Sequence, residues 1–162
     1  MATREALGID IGGVIIARAG REDDTSFSGE NYLETPPVSG AFEAIRQVVD
    51  ERFERRVFLI SKAGPRTRAK TMRWLKYHRF FERTGVKPKH VRFCLERSDK
   101  ARICQELGIT HFVDDRLDVL LSLNGVHRFL FDPDGRINSK LRSILAVKSW
   151  REIAQALLTT KV

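Results

Sequence analysis

The sequence predicts an α/β fold in which helices cover both faces of a parallel β-sheet. Short apolar runs of the kind that form buried strands recur along the chain at residues 6–11, 57–60, 90–95, 110–113 and 126–131. Between most of these runs, apolar residues recur at helical spacing instead. Strands that alternate with helices favour a parallel sheet between two helical layers, which is a three-layer Rossmann-like arrangement.

The first strand ends at Asp10 and is expected to open into a tight Gly12-Gly13 turn. The polar stretch over residues 12–38 is predicted to be a flap or loop. A helix with Ser39 as its N-cap should follow, because apolar residues recur there at helical spacing: Phe42, Ile45, Val48, Val49 and Phe53.

The second strand ends at Ser61, and a helix should begin near Pro65, since proline suits the first turn of a helix. Three later helices follow the third, fourth and fifth strands, with Ser98 as the predicted cap of the first and Ser149 of the last. No repeat, linker or low-complexity tract interrupts residues 1–162, so a single domain is expected.

Composition and charge exclude several classes of protein. An apolar share of 42% and a charged share of 31% are typical of a soluble globular domain. We find neither an apolar run near the ~20 residues of a membrane helix nor a signal-peptide pattern. Cys94 and Cys104 lack a zinc spacing, so free thiols and a cytoplasmic location are expected. The net charge of +8 favours anionic partners such as phosphorylated compounds or nucleic acid.

Candidate chemistry gathers where the strands are predicted to end, which is where open parallel sheets bind their ligands. Asp10, Ser61 and the pair Asp114-Asp115 follow strands, and Lys100 lies at the start of a helix. Acids that meet in space bind Mg²⁺, while a hydroxyl, a lysine and free backbone N–H groups bind phosphate oxygens. Phosphoryl transfer to a carboxylate requires this combination. Taken singly, each residue is also compatible with a turn, a cap or a solvated surface.

The same residues resemble the four motifs of the haloacid dehalogenase (HAD) superfamily. Residues 8–14 (GIDIGGV) resemble the first motif, whose leading aspartate, here Asp10, is the nucleophile. Residues 59–61 (LIS) resemble the second motif, and the lysine of residues 98–100 (SDK) resembles the third. Residues 112–116 (FVDDR) resemble the fourth motif, an acidic pair that holds Mg²⁺.

This resemblance implies a HAD-like fold and a Mg²⁺-dependent phosphohydrolase, similar to phosphatases and nucleotidases. Asp10 would form an aspartyl-phosphate, with Ser61 and Lys100 as the other catalytic residues. The metal would be held by Asp10, the carbonyl of Gly12 and Asp115, with Asp114 in support. The implied phosphate-binding set is Asp10, Gly12, Gly13, Ser61, Lys62 and Lys100.

One position departs from the family pattern. Family phosphatases carry a second aspartate two residues after the nucleophile, where it acts as general acid and base, and this chain has Gly12 there. Loss of such a group costs ~10²- to 10⁴-fold in rate. A weak or inactive HAD-like protein that binds a phosphorylated ligand or protein partner is therefore an alternative. The sequence does not decide which other acid, if any, replaces the missing one; the candidates are Asp23, Asp24, Glu30, Glu96, Asp99 and Asp118.

The spacing of the motifs leaves no room for a cap domain, so the site is expected to be open, which suits a large substrate or a cap supplied by a second subunit. The basic segment 62–79, with Trp74, Tyr77 and Phe80 interleaved, suggests a further alternative, a nucleic-acid-binding module. The same segment also fits an ordinary amphipathic helix whose core face includes Met72 and Leu75. Residues 8–13 resemble a phosphate motif of sugar-kinase and actin-like ATPases too, but that fold needs a much longer chain.

Overall fold

A computed structural model of the chain describes residues 4–18, 27, 29–137 and 143–159. Six strands form one sheet in the order β3-β2-β1-β4-β5-β6, and every neighbouring pair is parallel. The strands are β1 (Leu7–Ile9), β2 (Val57–Lys62), β3 (Val91–Cys94), β4 (His111–Asp114), β5 (His127–Phe131) and β6 (Ile144–Val147).

Among the described residues, six α-helices connect or follow these strands. They are α1 (Ala41–Val48), α2 (Pro65–Tyr77), α3 (Phe80–Thr84), α4 (Asp99–Leu107), α5 (Leu117–Leu121) and α6 (Trp150–Thr159). A π-helical stretch, Val49–Phe53, extends α1, and short 3₁₀ turns occupy Tyr32–Glu34 and Pro88–His90. Within the described ranges, none of the helices is both long and apolar enough to cross a membrane.

Alternate residues of each strand pack on opposite faces of the sheet, as the pleat requires. In β2, Val57 and Leu59 join a core that contains buried residues of α1, α2, α3 and α6. Phe58 and Ile60 join a second core with residues of α4 and α5. Helices therefore cover both faces, and the predicted three-layer α/β fold is confirmed.

The register of the central strands sets the position of the site. Ile9 pairs with Leu59 of β2 and with Val113 of β4, and the backbone N–H of Asp10 donates to the Val113 carbonyl at 3.0 Å. The residues that follow these positions therefore share the carboxyl edge of the sheet. The strand order also reverses at β1, which is where open α/β sheets bind ligands.

The structure differs from the sequence-based expectations in several local details. β6 and α3 were not predicted. Gly40, with φ +76°, precedes α1 and no side chain caps that helix, so the prediction of a Ser39 cap was wrong. Ser98 likewise makes no capping hydrogen bond to α4. Ser149 does cap α6, because its Oγ accepts the N–H of Glu152 at 3.1 Å.

A single domain and a flap at residues 12–38 stay predictions. Of that flap, residues 19–26 and 28 lie outside the described residues. The described part holds a tight turn in which the Ile11 carbonyl accepts the N–H groups of Val14, Ile15 and Ile16. Backbone hydrogen bonds from Ala17 to Pro36 and from Val38 to Ile15 tie this turn to the chain before α1.

Candidate functional site

Lys100 lies at the centre of the candidate site, between two buried carboxylates. Its Nζ donates to Asp10 Oδ1 at 3.0 Å and to Asp114 Oδ2 at 2.9 Å. The Lys100 side chain is 3% exposed and that of Asp114 is 0% exposed. Asp10 and Asp114 lie side by side because β1 and β4 pair in parallel, and Lys100 reaches them from the first turn of α4. The lysine thus pairs with two carboxylates, and each of these three charged groups would be costly to bury alone.

Asp115 supplies a third carboxylate. One oxygen from each of Asp10, Asp114 and Asp115 lies within 4.8 Å of the others. Asp115 Oδ2 accepts a 2.8 Å hydrogen bond from Arg18, while its Oδ1 is buried and has no hydrogen-bond partner among the described residues. Arg18 is not among the site residues predicted from the sequence, and it lies 97 positions from Asp115. No local pattern marks a contact over that separation.

Gly13 lets Arg18 approach Asp115. Its φ is +81°, a backbone conformation that glycine adopts without strain. A Cβ at this position would also lie 2.6 Å from Arg18 Nε and 2.6 Å from Asp115 Oδ2. Glycine is therefore needed at position 13 both for the turn and for the contact that crosses it.

The crowded charges shift the pKa values of the site. Burial, followed by the charge of Asp114, raises the pKa of Asp10 to about 7. Burial also raises the pKa of Asp114. For Lys100, burial lowers the pKa but the charges of Asp10 and Asp114 outweigh it, so the net shift is upward and the ammonium stays protonated at neutral pH.

This donor set fits a hard divalent cation such as Mg²⁺. Carboxylate oxygens are the ligands that Mg²⁺ prefers, and three converge here. Lys100 and Arg18 bring two positive charges to three carboxylates, and the unpartnered Oδ1 of Asp115 offers a buried lone pair. A cation would also favour the ionised form of Asp10, whose pKa is otherwise raised. The acids proposed from the sequence as metal ligands thus meet in space.

A cavity of about 370 Å³ lies next to this cluster, in the size range of small-ligand pockets. The loop from Ile11 to Arg18 forms one wall, and the end of β2 and the start of α2 form another. Four of the predicted phosphate-binding residues line it, namely Gly12, Gly13, Ser61 and Lys62, whereas Asp10 and Lys100 do not. The hydroxyls of Thr67 and Thr71 on α2 also line it and were not foreseen.

None of the described candidates for the missing acid lines this cavity. Asp99 accepts the backbone N–H of Glu96 at 3.3 Å, and Asp118 pairs with Arg116 at 3.1 Å. Glu30 is exposed, whereas Asp23 and Asp24 lie outside the described residues. Around Gly12 itself the space is open, because a Cβ there would have no atom within 4 Å.

The basic segment 62–79 forms α2 and its flanks and has a well-defined core face. Leu75 is buried, as the amphipathic interpretation predicted. Trp74 is also buried and donates through Nε1 to the Thr35 carbonyl at 2.8 Å, and Phe80 is 0% exposed. Tyr77, at 61% exposed, is the aromatic residue of this segment that faces solvent. A nucleic-acid partner stays a prediction.

Comparisons with known proteins add evidence of two kinds. No family model matches the chain. A curated protein of Oceanobacillus iheyensis, named Putative nucleotidase OB0422, is 23% identical over 124 residues, which are 76% of this chain and 63% of the relative. The chain therefore matches less than two thirds of that protein's length.

Solved structures of similar fold include the following three. An uncharacterized protein from Listeria monocytogenes serotype 4b has a TM-score of 0.62 and 12% identity, covering 95% of this chain and 97% of that one. A haloacid dehalogenase-like family hydrolase from Xanthomonas campestris has a TM-score of 0.54 and 16% identity, covering 87% and 65%. The Bacillus subtilis HAD-hydrolase YfnB, described as putative and bound to magnesium, has a TM-score of 0.51 and 16% identity, covering 87% and 66%. The chain thus has the HAD-like fold expected from its motifs.

Proposed function

We propose that this chain is a member of the HAD superfamily and a Mg²⁺-dependent phosphohydrolase that cleaves phosphomonoesters through an aspartyl-phosphate on Asp10. The observation that carries the proposal is the buried Lys100, which links Asp10 to Asp114 beside a cavity lined by Ser61. The HAD-like neighbours and the relative named as a nucleotidase support the same class.

Asp10 is the nucleophile in this proposal. Lys100 holds Oδ1, which leaves Oδ2 to attack phosphorus. A bond forms between Oδ2 and phosphorus, and the bond from phosphorus to the leaving oxygen breaks. Lys100 and the Ser61 hydroxyl donate hydrogen bonds to the phosphoryl oxygens and stabilise their charge. Water then hydrolyses the acyl phosphate and regenerates the Asp10 carboxylate.

Asp10, the Gly12 carbonyl and Asp115 would hold Mg²⁺, with Asp114 in support. When bound, the ion acts as a Lewis acid and offsets the repulsion between the anionic nucleophile and the anionic substrate. The raised pKa of Asp10 makes this compensation important, because only the carboxylate form can attack.

Gly12 determines which substrates react fastest. It offers no proton to the departing oxygen, so activated aryl phosphates should be cleaved readily. Phosphates of aliphatic alcohols, which are poorer leaving groups, lose the ~10²- to 10⁴-fold that a general acid provides.

The test is hydrolysis of a panel of phosphomonoesters, from aryl phosphates to nucleotides, with Mg²⁺ and with EDTA. Turnover that needs Mg²⁺ and is absent in Asp10→Asn would support the proposal. Asp115→Asn should weaken the Mg²⁺ dependence. A folded wild type with no more turnover than Asp10→Asn would rule the proposal out.

A second candidate function is a phosphate-binding protein without turnover, and Gly12 is the observation that favours it. Position 12 can accept a side chain, because its φ is not positive and no atom lies within 4 Å of a Cβ there. Gly12→Asp therefore restores the acid at a position with room for a Cβ, and Gly12→Asn is its matched control. A silent wild type, a gain of ~10²-fold or more in Gly12→Asp and no gain in Gly12→Asn would favour the binding function. Turnover by the wild type itself would exclude it.

A further inference from the structure

Residues 55–81 have a charge pattern that the proposed reaction does not explain. They include no Asp or Glu, although the whole chain has 21 acidic residues. Nine basic residues fall in this segment: Arg55, Arg56, Lys62, Arg66, Arg68, Lys70, Arg73, Lys76 and Arg79. Mixed charges are the rule on soluble surfaces, so a stretch of one sign points to an anionic partner.

Helix α2 arranges part of this charge in a line. Arg66, Lys70, Arg73 and Tyr77 are spaced i, i+4, i+7 and i+11, which places them on one face of the helix. We call these four residues the basic stripe. The opposite side of α2 packs on the protein through buried residues that include Leu75, so the stripe faces outward.

The cations of the basic stripe are available to a partner. Arg66 and Arg73 are exposed, and neither they nor Lys70 form an ion pair with any described residue. The Lys70 ammonium lies 5.2 Å from the centre of the Tyr32 ring, a contact that leaves its charge uncompensated. Tyr77 at the far end is 61% exposed, which is unusual for a large aromatic side chain.

The cavity and the basic stripe lie on two different faces of α2. Thr67 and Thr71 line the cavity together with Lys62, whereas Arg66, one residue before Thr67, lies about 100° around the helix from it. From Arg66 to Tyr77 the helix rises about 16 Å, which is long enough for several linked anionic groups. A polyanion with one end in the cavity therefore has to cross the first turn of α2 to reach the stripe.

We propose that the substrate phosphate is the terminal phosphate of a single-stranded nucleic acid, an inference that rests on the proposed phosphohydrolase function. Backbone phosphates of the strand bind Arg66, Lys70 and Arg73, and a base stacks on Tyr77. Tyr77 favours a nucleic acid over an acidic peptide, because every base offers a flat π-face while carboxylate side chains offer none.

The test compares two triple variants with equal loss of charge. The stripe variant is Arg66→Gln/Lys70→Gln/Arg73→Gln. The control is Arg4→Gln/Lys87→Gln/Lys89→Gln, three exposed residues that precede β1 and β3 at the opposite edge of the sheet. Both are made in the Asp10→Asn background, so that the probe keeps its phosphate. The probe is a fluorescent oligothymidylate of about 12 nucleotides with a terminal phosphate, and binding is followed by anisotropy over a salt series.

The stripe variant should bind the probe at least about tenfold more weakly, and its salt dependence should fall by about two log–log slope units, because three phosphate contacts are lost. The control should bind like the parent. Tyr77→Ala should weaken binding about fivefold or more, while Tyr77→Phe should not. Equal binding by the two triple variants would overturn the inference. Equally tight, stripe-dependent binding of a phosphoserine peptide with the same charge would overturn the nucleic-acid assignment.

A parallel assay separates this inference from the proposed function. With Asp10 intact, the stripe variant should hydrolyse an aryl phosphate at the wild-type rate while losing activity on the phosphorylated strand. If the protein hydrolyses the aryl phosphate but the stripe variant binds the strand as tightly as its parent, this inference alone is overturned. Absence of aryl phosphate turnover in the wild type would overturn the proposed function and, with it, the strand as a substrate.

Discussion

Arg18 donates a 2.8 Å hydrogen bond to Asp115 across the backbone of Gly13. The Arg18 side chain is 69% exposed, whereas that of Asp115 is 14% exposed. An exposed cation therefore neutralises one acid of the cluster, and it competes with any metal ion for the same carboxylate.

Arg18→Met should tighten Mg²⁺ binding, because Asp115 is then free to ligate the ion. Exposed ion pairs contribute up to about 1 kcal/mol, so the dissociation constant should fall by at most about fivefold. Isothermal titration with Mg²⁺ measures it directly. Arg116→Met removes the same charge from a neighbouring residue that pairs with Asp118 instead. A similar gain in both variants would mean that net charge, rather than competition for Asp115, is responsible.

Gly13→Ala should destabilise the protein by about 1 to 3 kcal/mol, because alanine is strained at positive φ and its Cβ would contact Arg18 and Asp115. Gly12→Ala is the natural comparison, since the neighbouring glycine has open space and no positive φ. It should change stability by less than about 1 kcal/mol. Urea unfolding of the two variants tests the difference, and equal effects would contradict it.

Lys100→Met should destabilise the fold by about 3 to 5 kcal/mol at pH 8, because it leaves Asp10 and Asp114 buried without a counter-charge. The loss should be smaller at acid pH. Folding raises the pKa values of the Asp10 and Asp114 carboxyls, so the free energy of unfolding falls as pH rises through those pKa values. Because Lys100 lowers both pKa values, its removal raises them further. Urea denaturation of the wild type and of Lys100→Met at pH 5 and pH 8 measures whether the destabilisation is smaller at the lower pH. Lys89→Met, an exposed control, should show neither effect.

His111 begins β4, at the edge of the sheet opposite to the candidate site, and it should make the stability of the protein depend on pH. Burial, followed by the charge of Arg52, lowers its pKa to about 4, and its Nε2 has no hydrogen-bond partner among the described residues. As pH falls below the unfolded value of about 6.5, the unfolded chain binds the proton first. Stability should therefore decline by about 1.4 kcal/mol per pH unit until about pH 4.

Unfolding of His111→Phe between pH 7 and pH 4 tests this expectation. The ring of His111 packs against those of Phe53 and Phe129, so phenylalanine suits the site and should flatten the profile. His78→Phe changes a histidine at the end of α2 whose ring stacks on Trp74, and it should keep the slope. An unchanged slope in His111→Phe would assign the pH dependence to other groups.

Much of the site was predictable because it follows from short-range rules. Buried strands are marked by apolar runs, and parallel strands bring their carboxyl ends to one edge, so Asp10, Ser61 and Asp114 could be assigned to that edge. Lys100 was predicted to lie at a helix start near this edge, but its place between the two acids was not. Its geometry depends on α4 docking beside β1 and β4, which no local pattern encodes.

The missed elements have physical explanations. Strand β6 is an apolar run of only four residues, and as the edge strand of the sheet it leaves Leu145 and Ala146 exposed, unlike the buried central strands. Helix α3 begins after Arg79, whose φ of +56° is rare for a residue with a side chain. The Ser39 cap failed because Gly40 enters α1 in a left-handed conformation. Each outcome depends on tertiary packing that overrides a weak local preference.

The open space at Gly12 also has an evolutionary consequence. Glycine and aspartate codons differ by one base in the cases GGT to GAT and GGC to GAC. Because a Cβ at position 12 has no atom within 4 Å, a single point mutation introduces an acid two residues after Asp10 at a position that already has room for a side chain to begin. Selection could therefore raise or lower the reactivity of this scaffold in one step, and descendants of one ancestral chain could move between slow and fast chemistry while keeping the same fold.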